Sequence, residues 1–411
     1  GINNVGIGYG ALSGHDGENN NIGVGKSVLG AANSGADNNI GIGNFTLDAV
    51  TSGDNNIAIG HSAGGANQTG ADTVYIGYQA GTACTSSGNV LIGKDAGLSM
   101  TSGESNIHIG IRAGDGYDTE SNNLSIGADA LGGSVAGGEY NVAIGNYTLD
   151  ALTSGDYNTV MGYNAGTATT TGGYNVMLGA NAGLDHTTGS SCVYIGANAG
   201  ANQTTASGDI YIRSSAGTTT VTTTTDAANP NTFIGYTAGY SITGEIANTF
   251  IGRVADGTGT PNGCEYNVGI GNYVFTDLTT GDNNTAVGYN SMPNTTTAPA
   301  STAVGYAALR DQTTGGGSGN GYNIGIGAFG MANVTTGSFN IGIGGFAYAS
   351  ATDSTNQIVM GYNVAGSGNS TFTFGAGSSD TTCSFGATSF SAPSDERWKK
   401  DIETSTCGLS F

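Results

Sequence analysis

A motif of the form Asn-x-x-[Ile/Val]-Gly recurs through most of this chain at intervals of about 17 residues. In the first half of the sequence its glycine, the motif glycine, returns at nearly constant spacing. A period this regular indicates structural units that stack on one another, so the chain has no single central core. The motif glycines of this regular part are Gly8, Gly25, Gly43, Gly60, Gly77, Gly93, Gly110, Gly127, Gly145, Gly162, Gly179 and Gly196.

The residues one and three positions before the motif glycine are mostly Ile or Val, as Ile57 and Ile59 illustrate. β-Branched residues two apart predict a short strand with one buried face, so we expect these two positions to be buried. The residue between them varies from glycine, as at Gly23, to an aromatic ring, as at Tyr75 and Phe233. We expect this middle residue to point the other way: small residues suggest close approach of another chain or sheet, and aromatic ones a wider gap or an exposed face.

Asparagine stands four residues before the motif glycine in most repeats. In stacked rungs about 4.8 Å apart, identical amides can hydrogen-bond along the stack, and asparagine also tolerates a left-handed corner. A second short element follows the motif glycine, and after it comes a turn rich in Thr, Ser and Gly. Insertions fall in this turn: Arg213 replaces one motif glycine, and the next one, Gly235, follows after a longer interval than usual.

These features predict an all-β fold, a repetitive β-solenoid or β-roll rod with about 17 residues per rung. Such a rung has room for two or three short strands and only a thin core, which buries little apolar area per residue. We therefore expect several chains to associate, most simply as a parallel homotrimeric fibre. The 75 glycines show no strict Gly-x-y period, which excludes collagen, and 9% charged residues argue against disorder.

The net charge of −21 would repel duplex DNA and anionic membrane surfaces, so we expect no nucleic-acid partner and no membrane insertion. No apolar run approaches the roughly 18 residues that a bilayer requires. The five cysteines are odd in number and far apart, so neither a disulfide framework nor a zinc site is expected. The four histidines show no ligand spacing. The sequence therefore predicts no metal and no cofactor.

The repeat changes towards the C-terminus. After Gly361 the motif glycines come progressively closer together, at Gly375 and then at Gly386, and apolar positions become aromatic. We predict a β-repeat shaft over 1–361, a tapering distal β region over 362–393 and a distinct terminal segment over 394–411.

The terminal segment opens with Ser-Asp-Glu-Arg-Trp-Lys-Lys-Asp-Ile at 394–402. This motif resembles the start of the self-cleaving intramolecular chaperone domain of phage tail fibres and tailspikes, a family that trimerises a β-rich fibre and then releases itself. The resemblance implies that Ser394 is the nucleophile and Lys399 the general base of a Ser-Lys dyad. In the family this domain continues well beyond the position of Phe411, so we expect no self-cleavage from this chain. A charged helix start, with Ser394 as its N-cap, is the structural alternative.

The repeats are similar to those of environmental phage tail fibres, as in Asn-Thr-Ala-Val-Gly at 284–288, and to the shorter head repeats of trimeric autotransporter adhesins. These resemblances imply a structural and adhesive fibre, the shaft of a phage tail fibre located on the virion or outside the cell. Its Thr-, Asn- and Tyr-rich loops would bind host-surface glycans. The alternatives are a polysaccharide-depolymerising tailspike with paired carboxylates, a bacterial trimeric adhesin and a self-assembling extracellular filament.

Overall fold

The computed structural model describes residues 1–31, 35–116, 118–133, 138–217, 230–240, 246–256, 263–313, 321–377 and 379–387. Within these ranges there are 23 strands and no helix. The predicted all-β solenoid is confirmed, and so is its period, since hydrogen-bonded partners in successive rungs, such as Asn141 and Asn158, are 17 residues apart. The chain forms two compact units, Gly1–Tyr273 and Val274–Phe411.

The first unit contains sixteen strands of three residues each. Successive strands of this unit pair in parallel and in register, so Val5, Gly6 and Ile7 pair with Ile22, Gly23 and Val24. Each rung contributes one strand, whereas the sequence left room for two or three. The strands are β1 (Val5–Ile7), β2 (Ile22–Val24), β3 (Ile40–Ile42), β4 (Ile57–Ile59), β5 (Val74–Ile76), β6 (Val90–Ile92), β7 (Ile107–Ile109), β8 (Leu124–Ile126), β9 (Val142–Ile144), β10 (Thr159–Met161), β11 (Val176–Leu178), β12 (Val193–Ile195), β13 (Ile210–Ile212), β14 (Thr232–Ile234), β15 (Thr249–Ile251) and β16 (Val268–Ile270).

The second unit begins with the same parallel repeat and then changes. Its strands are β17 (Thr285–Val287), β18 (Thr302–Val304), β19 (Ile324–Ile326), β20 (Ile341–Ile343), β21 (Ile358–Tyr362), β22 (Thr371–Ala376) and β23 (Thr381–Ser384). The pair β22–β23 is antiparallel, with Thr371 opposite Ser384. Strands therefore lengthen and reverse direction within the region where the sequence predicts a taper.

The core lies on the opposite side of each strand from the side that the sequence suggested. The middle residues Tyr75 and Phe233 are fully buried, whereas Ile57 and Ile59 each expose 37% of their surface. Expecting the Ile positions to be buried was therefore wrong. The physical reason lies in the asparagine two residues before the middle position. Side chains alternate along a strand, so both lie on the same side, and the asparagine is held inside by its hydrogen bonds.

The variable size of the middle residue is compensated within the same rung. In most rungs where it is large, as at Tyr75, the residue four after the motif glycine is glycine, and a Cβ on Gly81 would lie 2.5 Å from that ring. Where it is glycine, as at Gly41, the same position carries the buried Leu47. In such rungs a large residue on one side of the thin core is matched by a small one on the other, as close packing requires.

The asparagine ladder binds mainly to backbone. The N–H of Asn141 donates to Oδ1 of Asn123 (2.9 Å), and its Nδ2 donates to the carbonyl of Gly155 (2.9 Å). Direct amide-to-amide bonds also occur, as from Nδ2 of Asn158 to Oδ1 of Asn141 (3.0 Å). The left-handed corner falls one residue earlier, as at Tyr140 (φ 58°). Each buried amide thus ties consecutive rungs together while satisfying its own polar atoms.

The cysteines fill small positions in this framework. Cys84, Cys192 and Cys264 are buried and Cys383 is half-buried, and none of these four forms a disulfide bond. Cys192 stands in the asparagine row, where burial raises the pKa of its thiol to about 11.

Asp209 replaces asparagine in the buried ladder of the first unit. Its Oδ1 accepts the N–H of Asn231 (2.7 Å), and its Oδ2 accepts the hydroxyl of Tyr211 (2.7 Å). Burial nevertheless raises the pKa of this carboxyl to about 6 from an ordinary 3.8. A carboxyl whose folded pKa lies above its unfolded pKa stabilises the fold most below about pH 4, and this stability is lost as the pH rises through 6.

We expect Asp209→Asn to stabilise the protein at pH 7 by about 2–3 kcal/mol, because the amide needs no desolvated charge and still accepts from Asn231. Urea unfolding from pH 4 to pH 8 should show the difference between variant and parent growing between pH 4 and 6. The exposed Ser102→Asn, which changes no titratable group, is the control and should show no such difference. A gain that does not vary with pH would contradict the assignment.

Candidate functional site

An outward-facing apolar surface runs along the strands of the first unit. We call it the outer face and define it as the first and third residue of each of β1–β16. Its members are half-buried or exposed, whereas the middle residue is buried in every strand from β2 to β16. Exposed members include Val5 (45%), Ile42 (41%), Ile107 (39%), Met161 (42%) and Ile270 (39%).

The outer face is larger than the apolar patches of ordinary monomers. Sixteen strands contribute two side chains each, almost all Ile, Val, Leu or Thr. If each exposes about a third of its surface, the face presents on the order of 1,500 Å², against about 300–600 Å² for the largest patch of a typical monomer. Exposed apolar area of this size marks an interaction surface.

Basic side chains line the side of the outer face where the strands end, which we call the strand-end margin. Aromatic rings of the neighbouring rung contact some of them: the Lys26 ammonium lies 5.2 Å from the Phe45 ring centre, and the Arg253 guanidinium 5.2 Å from that of Tyr273. All these basic residues are exposed, and each stands at the motif-glycine position or one or two residues after it. They are Lys26, Lys94, Arg112, Arg213 and Arg253.

Two of these cations are paired with acids on the same margin. Lys94 forms an ion pair with Asp95, and the Arg112 guanidinium binds both carboxylate oxygens of Asp129 at 2.6 and 2.7 Å. The five cations and two anions leave the strand-end margin with a net positive charge in a chain whose total charge is −21.

Acidic residues line the other side of the outer face, where the strands begin, which we call the strand-start margin. Some are built into the stack: Oδ1 of Asp37 accepts the N–H of Asn19 (2.6 Å), and Oδ1 of Asp54 accepts the N–H of Asp37 (2.7 Å). The acidic residues of this margin stand five or six positions before a motif glycine. In the first unit, no Lys or Arg occupies these two positions. The acidic residues are Asp37, Asp54, Asp72, Glu104, Glu139, Asp156 and Glu265.

A groove of about 760 Å³ lies where the outer face meets the strand-end margin, between β12 and β16. Its lining includes Ile212, Ile234 and Ile251 together with Arg213 and Arg253. Arg213 stands at a motif-glycine position with φ 100°, a conformation that is costly for any residue with a Cβ. Backbone strain of this kind is typical of functional positions, and here it presents a cation beside an apolar groove.

We expect Arg213→Gly to stabilise the isolated chain by about 1–3 kcal/mol, because it removes this strain. Urea unfolding under dilute conditions measures the effect. The matched variant Arg253→Gly changes the same charge at a residue with no positive φ, and should not stabilise the fold. Equal effects of the two variants would show that charge, and not backbone strain, accounts for the gain.

An exposed tyrosine ladder borders the strand-start side. The rings of Tyr140 and Tyr157 stack 4.9 Å apart at 2°, and those of Tyr157 and Tyr174 stack 5.1 Å apart at 16°. The three residues expose 47%, 47% and 63% of their surface. The pKa of Tyr157 is raised, mainly by desolvation and to a smaller extent by the neighbouring Tyr140 and Tyr174, so its hydroxyl stays protonated at neutral pH. Because the ring faces cover one another, the ladder presents ring edges and hydroxyl groups, which suit hydrogen bonding to a polyhydroxylated ligand.

A group of carboxylates lies beyond the strand-end margin, across three consecutive rungs. The pKa of Asp115 is raised to about 6, mainly by burial and to a smaller extent by the negative charge of Asp129. The same two causes raise the pKa of Asp150, while Arg112 binds Asp129. A protonatable carboxyl near an ionised one is an arrangement that acid–base chemistry on glycosides uses.

The two residues that the sequence assigned to a Ser-Lys dyad, Ser394 and Lys399, lie outside the described residues, so that assignment stays a prediction. Within the described ranges no group of three or more His, Cys, Asp or Glu is placed to hold a metal ion, and no helix is long and apolar enough to cross a membrane.

The sequence-based reasoning missed the outer face and its charged margins. The available signal was positional: basic residues recur just after the motif glycine and acidic residues just before the asparagine.

The chain matches no protein-family model, no curated protein and no solved structure.

Proposed function

We propose that this protein is the shaft of an adhesive fibre in which several copies, most simply three, associate through their outer faces. The observation that carries the proposal is the exposed row of Ile and Val along a stack that is already internally packed. A single chain satisfies its core with the middle residues of the strands, so the outer face is free for contact between chains. Burying such a face would supply the stabilisation that a thin solenoid core lacks.

The experiment is to image the protein by electron microscopy and to compare it with Ile59→Lys/Ile126→Lys, which places two charges on the outer face. The parent should form elongated particles containing several chains, and the variant should be single chains with an unchanged circular dichroism spectrum. The control Ser102→Lys/Ser154→Lys adds the same charge at exposed turn positions and should assemble like the parent. Compact single-chain particles of the parent would contradict the proposal.

Adhesion is the second part of the proposed function, and host-surface glycans are the proposed ligands. The tyrosine ladder of Tyr140, Tyr157 and Tyr174 supports it, because it offers regularly spaced hydroxyls on a rigid framework. Glycan-array binding by the parent should weaken in Tyr140→Ala/Tyr174→Ala, whereas Tyr236→Ala, an exposed tyrosine outside the ladder, should bind normally. Equal binding by both variants would remove the ladder from the proposal.

A phage tail fibre is the source that we propose, on the resemblance of the repeats and of the terminal segment that contains Ser394 and Lys399. That location, on the virion or outside the cell, agrees with an acidic surface that repels nucleic acid. Cryo-electron microscopy of virions with an antibody against this chain would test it, and label on a bacterial surface instead would favour an adhesin.

A depolymerising tailspike is the second candidate, favoured by the raised pKa of Asp115 beside Asp129 and Asp150. If this group hydrolyses polysaccharide, reducing ends should accumulate with the parent and not with Asp115→Asn, while both proteins assemble normally. Absence of reducing ends with capsular polysaccharides that the parent binds would count against the enzyme.

A further inference from the structure

We propose that the outer face binds a second copy of the chain in parallel orientation, with the strand-end margin of one copy against the strand-start margin of its neighbour. This inference rests on the proposed fibre and adds the contacts that orient its subunits. It is carried by the opposite charges of the two margins, which the apolar face alone does not explain.

The charge separation excludes the antiparallel alternative on electrostatic grounds. Turning one copy end over end would place its acidic margin against the acidic margin of the partner. Like charges facing each other across an interface are unfavourable, and no Lys or Arg stands on that margin in the first unit to offset them. If the copies are instead related by rotation about the stacking direction, the positive strand-end margin of each copy faces the negative strand-start margin of the next, all round a closed ring.

Three base–acid pairs recur at the same relative register. In each pair the base follows one motif glycine directly, and the acid stands six positions before the next described motif glycine. The pairs are Lys26 with Asp37, Lys94 with Glu104, and Arg253 with Glu265.

Members of a pair do not meet within one chain, because roughly 20 Å of strand and corner separates the two margins. Between parallel copies, the base of one copy and the acid of its neighbour lie one rung apart along the stack, which is about 4.8 Å. Lys, Arg and Glu side chains span this distance easily. The described partners of the bases within the chain are Asp95 for Lys94 and the Tyr273 hydroxyl for Arg253. The margins are therefore suited to set both orientation and register.

Charge exchange tests the pairing. One variant is Lys94→Glu/Arg253→Glu, another is Glu104→Lys/Glu265→Lys, and a third combines all four substitutions. Circular dichroism and thermal melting establish that each variant folds. The control Ser99→Glu/Ala151→Glu adds negative charge at exposed positions six residues after a motif glycine, outside both margins. Association is measured by analytical ultracentrifugation at about 50 mM salt, where exposed charges are weakly screened.

We expect each single-margin variant to associate about tenfold or more weakly than the parent, and the combined variant to recover most of the loss. The control should associate like the parent. Additive weakening in the combined variant would overturn the pairing while leaving the fibre intact. A parent that stays monomeric would overturn the fibre itself, and this inference with it.

Orientation is measured separately by energy transfer between labelled copies. Cysteines are introduced one at a time, by Ser13→Cys near the start of the first unit and by Thr188→Cys about 50 Å along the stack. The background carries Cys383→Ser and Cys407→Ser, and the three buried cysteines remain. Parallel copies should give efficient transfer at both sites. Antiparallel copies cannot bring both label pairs close together, so efficient transfer at only one site would overturn the inference.

Discussion

Replacing Phe233 by alanine is expected to destabilise the protein by about 3–5 kcal/mol, because it empties a fully packed aromatic site. The ring shows no exposed surface. It stacks between Tyr211 at 4.9 Å and Phe250 at 5.5 Å, with interplanar angles of 3° and 9°. Its own rung cannot collapse around the cavity, since Gly239 packs directly against the ring. Urea unfolding measures the loss.

The neighbouring residue Ile234 provides the matched control within the same strand. It belongs to the outer face, so Ile234→Ala should cost the dilute single chain only about 1 kcal/mol. The same variant should weaken association between chains. If Ile234→Ala proved costlier than Phe233→Ala in dilute solution, the assignment of inner and outer sides would be reversed.

Gly93→Ala is expected to cost about 4 kcal/mol or more and to open the stack locally. A Cβ at this motif glycine would lie 2.1 Å from the carbonyl oxygen of Gly110 in the next rung. Its φ of 140° is also one that residues with side chains rarely adopt. A shift of Gly93 would disturb the hydrogen bond from its N–H to the Ile76 carbonyl, and a shift of Gly110 would disturb the one from its N–H to the Ile92 carbonyl.

Gly17→Ala is the control for this second substitution, because a Cβ there would meet no atom within 4 Å. It should change the free energy of unfolding by no more than about 0.5 kcal/mol. Hydrogen exchange should show Gly93→Ala opening the amides of β6 and β7 first. A mild effect, similar to that of Gly17→Ala, would mean that the rungs do not approach as closely as the glycine row requires.

The sequence contained enough information to predict the rung and its strand, because the motif glycine and the β-branched residues recur at fixed spacing. It did not reveal which side of the strand is buried. Ile57 and Ile59 are apolar enough for either side, and the Gly–Tyr variation at the middle position suggested an outer one. The decisive clue was a correlation between distant positions, such as large Tyr75 with Gly81 and small Gly41 with Leu47, which only a shared core explains.

The candidate site was less predictable because it depends on which residues of different rungs share a margin. Lys26 and Asp37 are ordinary surface charges when each is considered alone. Their significance comes from the parallel stacking, which aligns all bases on one side of the outer face and all strand-start acids on the other. The tyrosine ladder likewise requires the register that brings Tyr140, Tyr157 and Tyr174 together.

These features combine into a single account in which each chain packs its own core and leaves an apolar face for its neighbours. Sedimentation equilibrium of the parent protein at about 10 μM tests this most directly, because exposed apolar area of this extent should drive association at such concentrations. The account predicts three times the chain mass of 40.6 kDa, with little single chain remaining. A mass of 40.6 kDa at every radius of the centrifuge cell would contradict this account.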